Sequence, residues 1–169
     1  MLADLIAGKA VDIDGSTVQL SPGVAVPPII VGGMADAALT RAAAHAGGWF
    51  ALPLSPAQMA PAVERLAELA AIVGRPTPSI TGSMLVAIDG DPALLGPDEL
   101  ARKLNDPDGL YGIPVEAIPD MIVSGGPAAV AERIDGWRAI GAERVVVTFA
   151  AGSWFRQAEL LAEATALLK

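Results

Sequence analysis

The sequence contains no cysteine and a single histidine, His45. Disulfide bonds, thiolate nucleophiles and cysteine-ligated metals are therefore excluded, and one histidine cannot form a multi-histidine metal site. Charged residues are also scarce, at 18% of the 169 residues, whereas hydrophobic residues make up 53%. This balance favours one folded domain with a sizeable core over a disordered chain.

Positive charge is in short supply as well. The formal net charge is -8, which would repel nucleic-acid phosphates and an anionic membrane surface. No apolar run approaches the roughly eighteen residues that a membrane helix needs, and the N-terminus lacks the basic flank and apolar core of a signal peptide. We therefore expect a cytoplasmic protein that binds neither nucleic acid nor membrane.

The apolar pattern predicts alternating strands and helices. A short helix at 2–8 precedes a hairpin in which Val11 and Ile13 face Val18 and Leu20 across the turn Asp14-Gly15. Further strands are predicted at 29–31, 49–52, 80–88 and 144–149, and helices at 35–46, 56–73, 127–140 and 155–168. Proline and glycine breaks in 89–123 indicate short helices and a loop excursion. The alternation predicts a parallel sheet with right-handed crossovers.

The segment PPIIVGGMADAALTRAAAHAGGWF, residues 27–50, combines a buried strand, a glycine pair and a helix start. Glycines let a phosphate approach the backbone closely, and the free amides and positive dipole end of a helix favour an anion. The same pattern also fits a tight turn with no ligand. Physical reasoning alone leaves both interpretations open.

Three segments occur in order along the chain: the hairpin VDIDGSTVQL, the glycine segment just described, and GGPAAVAERIDGWRAIGAERVVVTF near the C-terminus. Together they resemble the luciferase-like monooxygenase family, which includes enzymes dependent on flavin mononucleotide (FMN) and on coenzyme F420. The resemblance implies the C-terminal half of a (β/α)8 barrel of the TIM type. Residues 1–169 then form one partial α/β domain, with a helix and hairpin in 1–26 and four β/α units in 27–169.

The resemblance also implies where a cofactor would bind. Its phosphate, belonging to FMN or coenzyme F420, is expected at the turn after the first parallel strand, formed by Gly32, Gly33, Met34 and Ala35. Family members often carry Ser, Asn or Thr just after the glycines, whereas Met34 and Ala35 contribute only backbone amides. In this architecture strand-end loops build active sites, so a substrate pocket is expected at Thr148, Ser153 and Trp154. Strand-end capping explains Thr148 and Ser153 equally well.

Other conspicuous residues are interpreted as structural, and no catalytic residue is indicated. His45 suits the C-terminal end of its helix, where the dipole favours a cation. Trp49 and Trp137 fit packing positions. Solvated helix faces are predicted for Glu64, Arg65, Glu68, Glu132 and Arg133.

Three functional hypotheses follow. The first is a flavin- or F420-dependent oxidoreductase half that is inactive until another half completes the barrel. The second is a non-catalytic dimerising remnant or a subunit of a split barrel, and the third is an unrelated β/α phosphate-binding fragment. A half barrel leaves two edge strands, 29–31 and 144–149, and inward Val, Ile and Met side chains uncovered. The expected partner is therefore a second copy or a separate N-terminal half-barrel chain.

Overall fold

The computed structural model describes residues 1–104 and 121–168. Its elements, in chain order, are α1 Leu2–Ile6, β1 Val11–Ile13, β2 Ser16–Val18, β3 Ile30–Gly32, α2 Asp36–His45, β4 Gly48–Phe50, α3 Pro56–Ile72, β5 Ser79–Ile88, α4 Pro97–Leu104, β6 Ile122–Gly125, α5 Pro127–Ala139, β7 Ala142–Phe149 and α6 Trp154–Ala166. The predicted helices and strands are all present, with small shifts of their ends. Within the described ranges, no helix is long and apolar enough to cross a membrane.

The predicted hairpin forms as a separate two-stranded sheet. Val11 pairs with Val18, but Ile13 pairs with Ser16 and not with Leu20, which lies beyond β2. Asp14 and Gly15 have φ values of 50° and 79°. Positive φ at both central residues is what a type I′ turn requires.

The main sheet is parallel, as predicted, and β5 is its central strand. Strands β3, β4 and β5 follow one another, and β7 pairs with the other side of β5. Among the described residues, β3 and β7 each pair with one strand only, so both are edges, as expected.

A fifth strand, β6, was not predicted. It pairs with β5 at Leu85 and Val86, which also pair with β7, so β6 and β7 lie on opposite sides of β5. Strand β6 therefore lies beside the C-terminal half of β5, on the same side as the three-residue β4. Within the predicted excursion 89–123, α4 confirms a short helix, whereas residues 105–120 lie outside the described residues.

The core lies between the sheet and the helices. One cluster packs Trp49 and Ile80 against α2, α3 and Trp137 of α5, and a second packs Met84, Val86 and Ile88 against α5 and α6. Trp49 and Trp137 are both fully buried, which confirms them as packing residues. The expectation that strand methionines face water is wrong, because the even-numbered positions of β5, including Met84, point toward the helices.

The opposite face of the sheet carries small and polar side chains as well as apolar ones. Neighbouring strands align Gly32, Phe50, Thr81 and Arg144 in one row across this face. Near the C-terminal end of β5 the face is covered, because Leu100 of α4 packs against Ala87. At the two edges, however, Ile30 and Val146 are exposed.

The first prediction concerns Gly82 of β5, which lies directly beneath the Trp137 ring. A Cβ at this position would lie 2.6 Å from Trp137 Cδ2. Because Trp137 is enclosed by core side chains, Gly82→Ala is expected to lower the free energy of unfolding by about 1–3 kcal/mol through overpacking. Gly96→Ala is the matched control, since a Cβ at Gly96 would have no atom within 4 Å. Equal denaturation midpoints for the two variants would contradict this packing.

Candidate functional site

The glycine turn after β3 has a backbone conformation that requires glycine. Gly33 has φ +106°, and a Cβ there would lie 3.2 Å from the Ala38 Cβ. The Trp49 Nε1 group donates a hydrogen bond of 2.8 Å to the Gly33 carbonyl oxygen. Trp49 therefore fixes the turn as well as packing in the core, a role that the sequence pattern did not reveal.

The start of α2 has no side-chain cap. Ala35 is its N-cap residue, and its carbonyl oxygen accepts hydrogen bonds from the amides of Ala38 and Leu39. The first amides of a helix have no partner within the helix. Met34 and Ala35 are exposed and leave this helix end open. The turn and the helix start together fit a phosphate group held by backbone N–H donors.

A carboxylate stands beside this helix start. Asp36 is the first residue of α2, and its Oδ1 lies 2.9 Å from Nε of Arg65 on α3. The Arg65 guanidinium also lies 3.1 Å from Glu68 Oε2. The hydrogen bond from Arg65 lowers the pKa of Asp36, so the acid is charged at neutral pH. The negative charge of Asp36 disfavours an anion bound at this helix start, and the positive charge of Arg65 offsets part of that effect.

The three residues predicted for a substrate pocket lie in and after β7. Thr148 is exposed and pairs with Leu85, while Ser153 is the N-cap residue of α6. Trp154 begins α6 with 74% of its surface exposed, and its ring meets Phe149 edge-on at a centroid distance of 5.2 Å. Ser153 and Trp154 thus come together at the C-terminal end of β7.

Both predicted sites lie at the C-terminal edge of the parallel sheet. They are not adjacent, because β4 and β5 separate β3 from β7. A cleft of about 680 Å³ lies elsewhere, between the start of α3 and α5, and includes none of the predicted site residues. Among the described residues, no group of three or more His, Asp or Glu side chains is placed to hold a metal ion.

The loop after β5 contributes a buried carboxylate that sequence reasoning missed. Asp91 is only 7% exposed, and its Oδ2 accepts hydrogen bonds from the Ser153 amide at 2.6 Å and from Gln157 Nε2 at 3.2 Å. Its Oδ1 accepts a 2.9 Å hydrogen bond from the Ala93 amide. Asp91 therefore ties the loop after β5 to the turn before α6, where Ser153 and Trp154 lie.

Gln157 reinforces the same junction. It is fully buried, and its side-chain amide bonds both backbone groups of Ile88, accepting from N and donating to O at 2.9 Å each. Asp91 lies in a run of glycine and proline that is typical of a surface turn, and Gln157 in an amphipathic helix. Only their tertiary contacts distinguish them.

Hydrogen bonding keeps Asp91 ionised. The Ala93 amide lowers the pKa of Asp91 most, and burial acts in the opposite direction. The N–H groups of Ser153 and Gln157 and the positive charge of Arg156 lower it further. With its oxygens engaged and its pKa lowered, Asp91 is suited to holding structure and not to transferring protons.

The second prediction follows from this lowered pKa. Because the folded-state pKa of Asp91 lies below its unfolded value, its stabilising contribution is fully present above that unfolded value, about 3.9, and is lost as pH falls through the folded pKa. Asp91→Asn should therefore lower the melting temperature at pH 7. The difference in melting temperature between wild type and this variant should become smaller at acid pH, where Asp91 is protonated in the wild type. Asp135→Asn, at an exposed carboxylate paired with Arg138, is the control. If the difference in melting temperature between wild type and Asp91→Asn stays constant from pH 7 to pH 3, the stabilising role assigned to the Asp91 carboxylate is wrong.

Comparison with solved structures shows which fold this is. An F420-dependent secondary alcohol dehydrogenase in complex with an F420–acetone adduct superposes with a TM-score of 0.73 at 13% identity, covering 100% of this chain and 58% of its own. The coenzyme F420 dependent tetrahydromethanopterin reductase from Methanopyrus kandleri gives 0.60 at 16% identity, covering 88% and 54%. The oxygenating constituent of 3,6-diketocamphane monooxygenase from Pseudomonas putida, in complex with FMN, gives 0.57 at 12% identity, covering 96% and 57%.

This chain spans between half and three-fifths of the length of these three structures, and identities this low show the fold alone. No curated protein shows a significant sequence match. The model of the family described as luciferase-like monooxygenase matches residues 2–95, which is more than half of the chain. The chain therefore belongs to the luciferase-like monooxygenase family.

Proposed function

We propose that this chain is the C-terminal half of a flavin- or deazaflavin-dependent oxidoreductase barrel and contributes part of the cofactor phosphate site. The observation that carries the proposal is the open turn from Gly32 to Ala35, where a glycine of positive φ leads into a helix start without a side-chain cap. The family membership supports it, since similar folds include a complex with FMN and one with an F420 adduct. Which of the two cofactors binds is left to the binding experiments below.

In such enzymes the cofactor supplies the hydride or oxygen chemistry, and the protein supplies binding, orientation and electrostatics. The residues of this chain suit that second role. Backbone amides at Gly33 and the start of α2 would hold the phosphate, and Arg65 would offset the charge of Asp36 beside it. Thr148, Ser153 and Trp154 would line the substrate side at the end of β7.

The proposed activity needs a complementary half barrel. Strands β3 and β7 offer unpaired backbone groups at the two edges, and Ile30 and Val146 are exposed on the face between them. A second copy of the chain or a separate N-terminal half would cover both features. A cytoplasmic location for the assembled protein stays a prediction from the sequence.

A non-catalytic dimerising subunit is the second candidate, and one observation favours it. The helix start that should bind phosphate has no hydroxyl side chain at Met34 or Ala35 and carries the negative charge of Asp36. Purification with added FMN or F420 separates the candidates. Retained flavin or deazaflavin absorbance supports the oxidoreductase half, and its absence supports the non-catalytic subunit.

The third prediction uses a second turn as its control. Gly33→Val is expected to abolish FMN binding, measured by titration calorimetry, because a β-branched side chain would displace the turn backbone from the phosphate. Gly125 has nearly the same geometry, with φ +113° and a Cβ position 3.2 Å from the Ala129 Cβ. Gly125→Val should therefore introduce similar strain and leave FMN affinity unchanged.

Unchanged FMN affinity in a folded Gly33→Val variant would show that the assignment of the phosphate to this turn is wrong. If only Gly125→Val loses FMN binding, the phosphate site is instead assigned to the turn before α5.

The fourth prediction concerns assembly. Because both edge strands carry unpaired backbone groups and Ile30 and Val146 on them are exposed, the purified chain is expected to form dimers or larger species, or to require a partner chain, at working concentration. Size-exclusion chromatography with light scattering measures the molar mass. A monodisperse species of 17.1 kDa that unfolds cooperatively would contradict the half-barrel proposal.

A further inference from the structure

We propose that Asp91 is the positioning residue of the turn between β7 and α6, and that it holds Trp154 as a pre-formed aromatic wall for a planar heteroaromatic ring. The proposal rests on the proposed function for the identity of that ring, which is the cofactor or a substrate stacked beside it. The positioning role itself depends only on contacts within this chain.

The turn lies directly on the Asp91 carboxylate. Its oxygen accepts the amide hydrogen of Ser153, the residue immediately before Trp154, at a donor–acceptor distance of 2.6 Å. Gly152 has φ +90°, and a Cβ there would collide with Asp91 Oδ2. The carboxylate therefore occupies the space that a side chain at 152 would need, and the turn packs directly against Asp91.

The other side of Trp154 is anchored as well. Arg156 Nε donates a 3.2 Å hydrogen bond to the Gly90 carbonyl oxygen, and Gln157 bonds both Asp91 and Ile88. The first turn of α6 is thus held to the end of β5 on both sides of Trp154. Trp154 itself remains 74% exposed.

An exposed but anchored tryptophan is pre-organised for binding. Its ring contact is edge-on to Phe149 at an interplanar angle of 86°, a geometry that does not use stacking of one ring face on the other. Aromatic rings also pair in offset-stacked arrangements, and a side chain on a backbone that is already ordered costs less conformational entropy to bind than one on a mobile loop. A planar heteroaromatic ring at the C-terminal edge of the sheet is the ligand class that matches this surface.

The three tryptophans make the proposal measurable. Trp49 and Trp137 are 0% exposed and lie in the core, whereas Trp154 is at the turn. With 5-fluorotryptophan incorporated, ¹⁹F NMR gives one resonance for each, and Trp154→Phe identifies the one from the turn. Asp91→Asn is expected to shift or broaden the Trp154 resonance and to leave the two core resonances in place.

Substitutions at Ser153 separate the amide from the side chain. Ser153 has φ -78°, which suits proline, and Ser153→Pro replaces the N–H donor with a ring Cδ that lies against the Asp91 carboxylate, so the contact between the turn and Asp91 is broken. This variant should shift the Trp154 resonance as Asp91→Asn does, whereas Ser153→Ala keeps the amide and should match wild type. If Asp91→Asn does not fold, the positions of the Trp154 resonance in Ser153→Pro and Ser153→Ala are compared instead to test the positioning role.

An unmoved Trp154 resonance in the folded variants, with only a lower melting temperature, would overturn the positioning role and leave Asp91 as a stabilising residue. An FMN titration then tests the ligand. In wild type FMN should shift the Trp154 resonance, and the Kd should rise by about tenfold in Asp91→Asn because pre-organisation is lost. If calorimetry detects FMN binding but FMN moves none of the wild-type resonances, the assignment of the ring to Trp154 fails and the proposed function stands. If calorimetry detects binding of neither FMN nor F420, the proposed function fails as well, and the Asp91 result is judged from the variants alone.

Discussion

Strand β5 is the constraint on which the rest of the structure depends. Its ten residues pair with β4, β6 and β7, more partners than any other described strand has. Its even-numbered side chains form the floor of the core beneath α5 and α6, with Gly82 leaving room for Trp137. Its last residue, Ile88, and Asp91 in the loop that follows hold the start of α6. One strand therefore sets the sheet order, the packing of the helices and the position of the candidate substrate side.

The uncovered parts of the molecule follow from the same arrangement. Among the described residues, the strands on either side of β5 end in β3 and β7, so this part of the sheet ends at two edges and does not close on itself. On the face away from the helices, Thr81, Ser83 and Ala87 of β5 are buried, with α4 packing near Ala87, whereas Ile30 and Val146 on the edge strands are exposed. In a closed barrel such side chains interdigitate in layers, and this is the physical basis for proposing a complementary half.

The sequence predicted the regular elements well because their signals are local. A continuous apolar stretch identified β5, an apolar stripe at helical spacing identified α5, and Asp14-Gly15 identified the hairpin turn. Strand β6 was missed because four residues are too few to show an apolar pattern. It forms because it pairs with the part of β5 that extends beyond β4. The contact of Arg65 with Asp36 spans 29 residues, and that of Asp91 with Ser153 spans 62. No local pattern records such contacts, so the candidate turns were predictable but the residues that hold them were not.

The spacing of the two candidate sites limits what can contact both. Neighbouring strands lie about 4.8 Å apart, so β3 and β7, separated by β4 and β5, are about 14 Å apart across the sheet, somewhat less if it curves. A compact substrate cannot touch the Gly33 turn and Trp154 at once. An elongated molecule in which a flexible chain joins a planar ring to a phosphate can, and FMN and F420 both contain this unit. This distance is compatible with the proposal that the phosphate of such a ligand lies at the Gly33 turn while its ring reaches toward Trp154, beside the proposed substrate residues, and a ligand lacking either its phosphate or its ring should lose contact with one end while keeping the other.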